Sequence, residues 1–254
     1  MSSTFALERS PDPALAATQL DLQKKLACPL VPAAQSGDFD FVLRHEVAGL
    51  TLYATANNAP GGVRVDFCDP ALRRRAADGL RRQDLVKAIG VKGTVRPRVL
   101  DATAGLGSDG FLLAAAGCSV LMLERSAVVH ALLADGLQRG AAAGSPVADT
   151  VARLSLINDD FIDAKLPAGA VDVVYLDPMF PADRKSARSG KGMYLLQELL
   201  GPASDEGKLF TRASDLATRR VVVKRGKLSP AIADQVADIC FRGSSSRYDV
   251  YLQR

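Results

Sequence analysis

The chain has 254 residues, 48% of them apolar and 24% charged, with a formal net charge of +4. That balance describes a soluble globular protein of one or two domains that leans mildly toward a polyanionic partner. Aromatics are few and Trp is absent, which argues against an aromatic-stacking or carbohydrate-binding surface. The only two histidines, His45 and His130, leave no room for a histidine triad or a multi-histidine metal site, so no metal is expected. Cys28, Cys68, Cys118 and Cys240 lie far apart with no Cys-x-x-Cys pair. They predict neither zinc nor disulfides, but thiols packed as small hydrophobes in a reducing cytoplasm. No apolar run reaches the ~18 residues of a membrane helix, and the acidic N-terminus does not read as a signal peptide. A cytoplasmic monomer without membrane contact is expected.

The first twenty or so residues, rich in Ala, Ser and Pro, read as a loosely held lead-in. Short alternating stretches follow at 39–43, 49–53 and 63–67, broken by Asn57-Asn58 and Pro60-Gly61-Gly62. They predict a small β-rich N-terminal domain over residues 1–70. A basic helical connector over 71–97 comes next, with Arg73, Arg74, Arg75, Arg81, Arg82, Lys87, Lys92 and Arg96, closing at Gly90 and Gly93. A solvated helix face and a phosphate-contacting surface both account for it.

From residue 98 to 254 the texture is α/β. Apolar strands at 99–100, 120–123, 154–157, 171–176 and 220–223 alternate with helical stretches at 111–116, 128–137 and 193–200. Continuous apolar strands between helices predict a parallel sheet covered on both faces, a Rossmann-like arrangement. The tail, 239–242 and 248–252 joined through Gly243 and three serines, predicts an antiparallel hairpin at the sheet edge.

Two segments carry chemistry. Asp101-Ala102-Thr103-Ala104-Gly105-Leu106-Gly107-Ser108-Asp109-Gly110 is a strand end, a small-residue turn and a helix start. Its glycines satisfy G-x-G-x-x-G, which alone would admit an NAD(P)-dependent oxidoreductase. A pyrophosphate at that helix N-terminus would, however, oppose Asp101 and Asp109. S-adenosylmethionine carries no phosphate but an ammonium and a sulfonium, which carboxylates attract. Glu124, ending the next strand, suits vicinal ribose hydroxyls in either cofactor. After the third strand, Asn158-Asp159-Asp160-Phe161 offers a polar group to read an adenine amine and a ring to cover it.

The second segment is Asp177-Pro178-Met179-Phe180-Pro181, ending an apolar strand. It resembles the [Asn/Asp/Ser]-Pro-Pro-aromatic motif of amino-group methyltransferases, with Met179 in place of the second proline. An exocyclic base amine is a poor nucleophile because its lone pair is delocalised. The Asp177 carboxylate and the Pro178 carbonyl can accept its two hydrogens and localise that pair, while Phe180 stacks on the base and the prolines stiffen the loop.

Together with Met122-Leu123-Glu124-Arg125 and Arg220-Val221-Val222-Val223-Lys224-Arg225, these segments resemble the RsmJ family, bacterial 16S ribosomal RNA guanine-N2 methyltransferases, over roughly residues 63 to 252. The resemblance implies a class I methyltransferase fold: a mostly parallel seven-stranded sheet with a C-terminal antiparallel hairpin, spanning 98–254. It implies S-adenosylmethionine contacts at Ser108, Asp109, Glu124, Arg125, Asp160, Phe161 and Asp177, and 16S ribosomal RNA or the small ribosomal subunit as partner. The chain departs from the family pattern at Ser108, where arginine is usual, at the Asp159-Asp160-Phe161 turn, and at Gly226-Lys227-Leu228. The basic loop Asp183 to Lys191 reads as an RNA-closing segment or a solvated one. A non-catalytic ribosome-assembly factor built on the same fold is the remaining alternative.

Overall fold

The structure is a computed structural model that describes residues 4–56, 61–77, 79–167, 169–178, 199, 206–244 and 246–253. In chain order its elements begin β1 (Phe5–Glu8), α1 (Ala16–Leu26), β2 (Leu30–Val31), β3 (Phe41–Glu46), β4 (Gly49–Ala54), α2 (Pro70–Ala77), α3 (Asp84–Ile89) and β5 (Arg98–Asp101). They continue α4 (Ser108–Ala115), β6 (Ser119–Leu123), α5 (Ala127–Ala141), α6 (Val147–Val151), β7 (Leu154–Ile157), β8 (Val171–Leu176), α7 (Glu206–Leu216), β9 (Ala217–Gly226), β10 (Ile239–Arg242) and β11 (Ser246–Leu252). They fall into two compact units.

The first unit holds a four-stranded sheet of order β2-β1-β3-β4. Here the lead-in expectation is corrected. Strand β1 is interior, parallel to β2 on one side and β3 on the other, with Ala6 and Leu7 fully buried. Polar groups that sequence alone cannot pair hold it. Buried Gln19 of α1 donates from Nε2 to the Glu8 carbonyl at 2.8 Å and accepts from the Ser10 N–H at 3.0 Å. The Glu8 carboxylate receives Ser36 Oγ at 2.6 Å and Arg44 Nε at 2.9 Å. The expected strand at 63–67 reduces to one bridge, Val63 with Leu52. Residues 126–139, most of α5, group with this sheet: the Leu50 N–H donates to Asp135 at 3.0 Å, and Gly136 packs so close to Val65 that an added Cβ would lie 2.4 Å from its Cγ1.

The second unit holds a seven-stranded sheet of order β10-β11-β9-β8-β5-β6-β7. Strands β5 to β9 are mutually parallel; β11 runs antiparallel to β9, and β10 pairs, among the described residues, only with β11. This is the arrangement the sequence predicted, apolar runs buried in the middle and a hairpin at one edge. One core layer joins Leu100, Val174, Leu176, Val221 and Val223 to Leu209, Ala213 and Leu216 of α7, a helix the sequence reading did not anticipate. The helix expected at 193–200 lies outside the described residues apart from Leu199. The connector forms α2 and α3; α3 buries Leu85, Val86, Ala88 and Ile89 and ends at Gly90 with φ 87, as the glycine there suggested. Of the four free thiols only Cys28 and Cys118 are buried, so the packed-hydrophobe expectation fails for Cys68 and Cys240, which are exposed. Among the described residues no helix is long and apolar enough to cross a membrane.

Candidate active site at the carboxyl edge of the sheet

Strand order reverses direction of growth between β5 and β8, the place where open α/β sheets leave a crevice beyond their carboxyl ends. Register fixes which side chains meet there. Asp101 pairs with Met122 on one side and Tyr175 on the other, and Leu176 pairs with Val223. The residues just past those pairs, Glu124, Asp177 and Lys224, therefore rise at one edge.

The glycine loop is shaped as its residues require. Gly105 and Gly107 adopt φ 54 and 74, left-handed values that a side chain rarely accepts. At Gly110 the constraint is space: a Cβ there would lie 2.9 Å from Met122 Sδ and 3.5 Å from Asp101 Oδ2. Ser108 is exposed at the start of α4. The loop is tied to the next strand by Glu124, whose Oε2 accepts the Gly105 N–H at 3.0 Å, and by the Ala104 N–H bond to the Leu123 carbonyl at 3.1 Å. Asn158 donates to the Glu124 carbonyl at 2.7 Å and so joins the ends of β6 and β7. Arg125 approaches Asp160 at 3.9 Å, and Asp160 Oδ1 accepts the Ile162 N–H at 2.9 Å.

Phe161 is placed otherwise than expected. Its ring is 2% exposed and packed in the core with Leu123 and Ala164. Arg212 lies over it, 5.7 Å from the centroid, and bonds the Phe161 and Ala164 carbonyls. A ring so enclosed supports the turn from below and does not lie open to a ligand.

The centre of the site is an ion cluster. Lys224 Nζ donates to Asp177 Oδ2 at 2.7 Å and to Asp109 Oδ2 at 2.9 Å, and the Tyr175 hydroxyl donates to the same Asp109 oxygen at 2.7 Å. The Asp177 N–H donates to Thr103 Oγ1 at 2.7 Å, which locks the start of the Asp-Pro segment to the glycine loop. Burial works against the Asp109 carboxylate, but Lys224 and Tyr175 hold its pKa below the usual range. Burial pushes Asp177 up, with Lys224 pulling against it. Lys224 stays charged, because the two carboxylates outweigh its own desolvation.

Asp101 behaves differently. Burial, then the charge of Asp109, pushes its pKa up to about 8. The two carboxylates expected to face a cationic ligand, Asp101 and Asp109, thus differ: a pKa of about 8 leaves Asp101 largely protonated at neutral pH. Two carboxylates, Asp109 and Asp177, share the one ammonium of Lys224, and this acid-rich donor set fits a cationic ligand. Lys224, Tyr175 and Thr103 were not singled out from sequence. A charged residue at the end of the buried run Val221-Val222-Val223 was the available signal for Lys224. Pro178 closes the described part of the segment; Phe180, Pro181 and the basic loop lie outside the described residues.

A parallel sheet with one inserted antiparallel strand, a glycine loop after its first strand and acidic strand ends define the class I S-adenosylmethionine-dependent methyltransferases. The family described as "Putative SAM-dependent methyltransferase" matches residues 27–253. The chain is 44% identical to the ribosomal RNA small subunit methyltransferase J of Ectopseudomonas mendocina, over 85% of this chain and 84% of that one. It is 41% identical to the protein of that name from Dechloromonas aromatica, over 95% and 98%. The crystal structure of a SAM-dependent methyltransferase from Neisseria gonorrhoeae superposes with a TM-score of 0.71 at 32% identity, covering 98% of this chain and 96% of that one. This chain belongs to the ribosomal RNA small subunit methyltransferase J family of SAM-dependent methyltransferases.

Proposed function

We propose that the chain methylates the exocyclic N2 amine of a guanine in 16S ribosomal RNA, free or within the small subunit, as a cytoplasmic monomer. The substrate follows the name its relatives carry. The observation that carries the chemistry is the Asp177 carboxylate, held between the Thr103 hydroxyl at its backbone and the Lys224 ammonium at its side chain, beside the glycine loop.

S-adenosylmethionine supplies the electrophilic methyl group. In this reading Glu124 takes the ribose hydroxyls, Asp160 and Arg125 border the adenine, and the loop from Asp101 through Gly105, Gly107, Ser108 and Asp109 receives the cationic methionine end. Asp177 and the Pro178 carbonyl accept the two amine hydrogens, which turns the nitrogen lone pair out of conjugation. Phe180 stacks on the base. Once the nitrogen has gained its methyl group it holds one proton too many, and Asp177, whose affinity for a proton is raised by burial, takes it. The oxidoreductase alternative is disfavoured by the antiparallel β11 between β9 and β10, which the dinucleotide folds lack.

The test is Asp177→Ala in cells that lack the endogenous gene, with mass spectrometry of 16S ribosomal RNA. Loss of the methyl mark, with S-adenosylhomocysteine binding and thermal unfolding retained, is expected; a mark at wild-type level removes Asp177 from this role.

A further inference from the structure

One stretch carries a large share of the positive charge of this chain. Residues 70–98 hold nine Arg and Lys against two Asp, a net of +7 in a chain whose total is +4, which leaves −3 for all other residues. Helix α2 in that stretch buries none of its residues fully: Leu72 and Ala76 are half-buried, and its three arginines are exposed. Arg73, Arg81 and Arg82 are exposed, and no hydrogen bond or ion pair among the described residues engages their guanidinium groups. By contrast Lys87, Arg96 and Arg98 are occupied, by Asp84, by the Gly93 and Val95 carbonyls and by Asp172.

The stretch also borders the site. Helix α2 packs against α4, whose first turn carries Asp109, and the Arg75 charge favours the ionised Asp109 carboxylate. Exposed guanidinium groups that no described residue engages are complementary to a phosphodiester backbone, whose charges repeat at intervals of a few ångströms. An acid-lined centre repels phosphate, so a polyanionic substrate needs an attractive surface beside the acids and not among them.

From this we infer that Arg73, Arg81 and Arg82, on α2 and the turn that follows it, are the docking surface for the ribosomal RNA backbone flanking the target base. The inference rests on the RNA reading above and adds where the protein grips its substrate. Such contacts hold any sequence equally; they set affinity and register, not the choice of base.

The experiment uses the full chain carrying R73Q, R81Q and R82Q together. Binding of transcribed 16S ribosomal RNA is measured without cofactor between 50 and 200 mM salt, values chosen because counterion release is steep there. Removing three phosphate contacts is expected to make the slope of log affinity against log salt shallower by about 2 and to weaken binding on the order of 100-fold near 0.1 M salt. In turnover the loss appears in KM, with kcat and S-adenosylhomocysteine affinity unchanged. The matching triple lysine variant, which keeps the charge, restores the slope. Wild-type slope and affinity in the glutamine variant would overturn the docking surface. A wild-type chain that binds the RNA with the expected salt dependence but transfers no methyl group overturns the reaction instead and leaves the surface standing.

Discussion

Lys224 Nζ lies 2.7 Å from Asp177 Oδ2, joining the ends of two neighbouring strands whose residues are 47 positions apart in the chain. The same ammonium reaches Asp109 on α4, so one cation holds two carboxylates that would otherwise repel. The chemistry proposed for Asp177 depends on its being ionised while buried, and Lys224 is the group that permits it.

Lys224→Met keeps the length of the side chain and removes the charge. Without the cation, the pKa of Asp177 rises further, so the acidic limb of the pH profile of kcat should move to higher pH. At neutral pH kcat should fall by roughly 10- to 100-fold, less than the ~10²–10⁴-fold that a positioned proton acceptor itself contributes, because Asp177 remains in place. A pH–rate profile at saturating RNA checks this; an unmoved acidic limb would separate Lys224 from the state of Asp177.

Asp101 ties stability to pH. Its carboxyl titrates near 8 in the folded chain and at about 3.9 when unfolded. Between those values the folded chain holds more protons than the unfolded one, so this group lowers stability as pH rises through the window. Asp101→Asn, an uncharged near-isostere, should flatten the decline between pH 5 and 8 and exceed wild type at pH 8. Urea denaturation across that range reads the difference.

Glu124→Ala deprives the Gly105 N–H of its acceptor and removes the acid facing the proposed ribose. We expect a loss of about 1–3 kcal/mol in stability, the usual cost of a stranded polar group, and a drop in S-adenosylhomocysteine affinity of roughly 10- to 100-fold. Thermal unfolding and titration calorimetry measure the two separately.

At Gly110 a methyl group would press on Met122 Sδ and approach Asp101. Met122 is flexible and can yield in part, so Gly110→Ala should cost about 1–3 kcal/mol, the range for an overpacked core. Serine should cost at least as much.

The sheet was legible because its strands are buried on both faces and so read as unbroken apolar runs; 120–123 and 171–176 fall almost residue for residue on β6 and β8. The edges of the site were legible for the same reason, since Asp101, Glu124 and Asp177 interrupt such runs. What stayed hidden depends on partners distant in sequence. Phe5-Ala6-Leu7-Glu8 is too short to announce a strand, and it becomes one through Gln19, Ser36 and Arg44. Helix α1 buries only Gln19 and Leu26 and leaves Leu20 half exposed, so its apolar residues do not mark a buried face. The Asp-Pro segment showed where an amine could sit, but not that Lys224 holds its acid. Phe161 shows the limit of reading an aromatic beside an acid as a ligand contact: the same residue type serves a core equally well.

Strand β11 follows β10 in sequence yet lies between β10 and β9 in space. During synthesis, β9 therefore emerges with one full row of amide and carbonyl groups unmatched, and its natural neighbour is still some twenty residues from being made. Until Ser246–Leu252 arrives, Val221-Val222-Val223 is an exposed, strongly β-forming edge that could recruit a strand from another nascent chain. Strand β11 thus acts as the keystone of the sheet, and lesions in it should reveal themselves as aggregation during expression before they reveal themselves as lost activity.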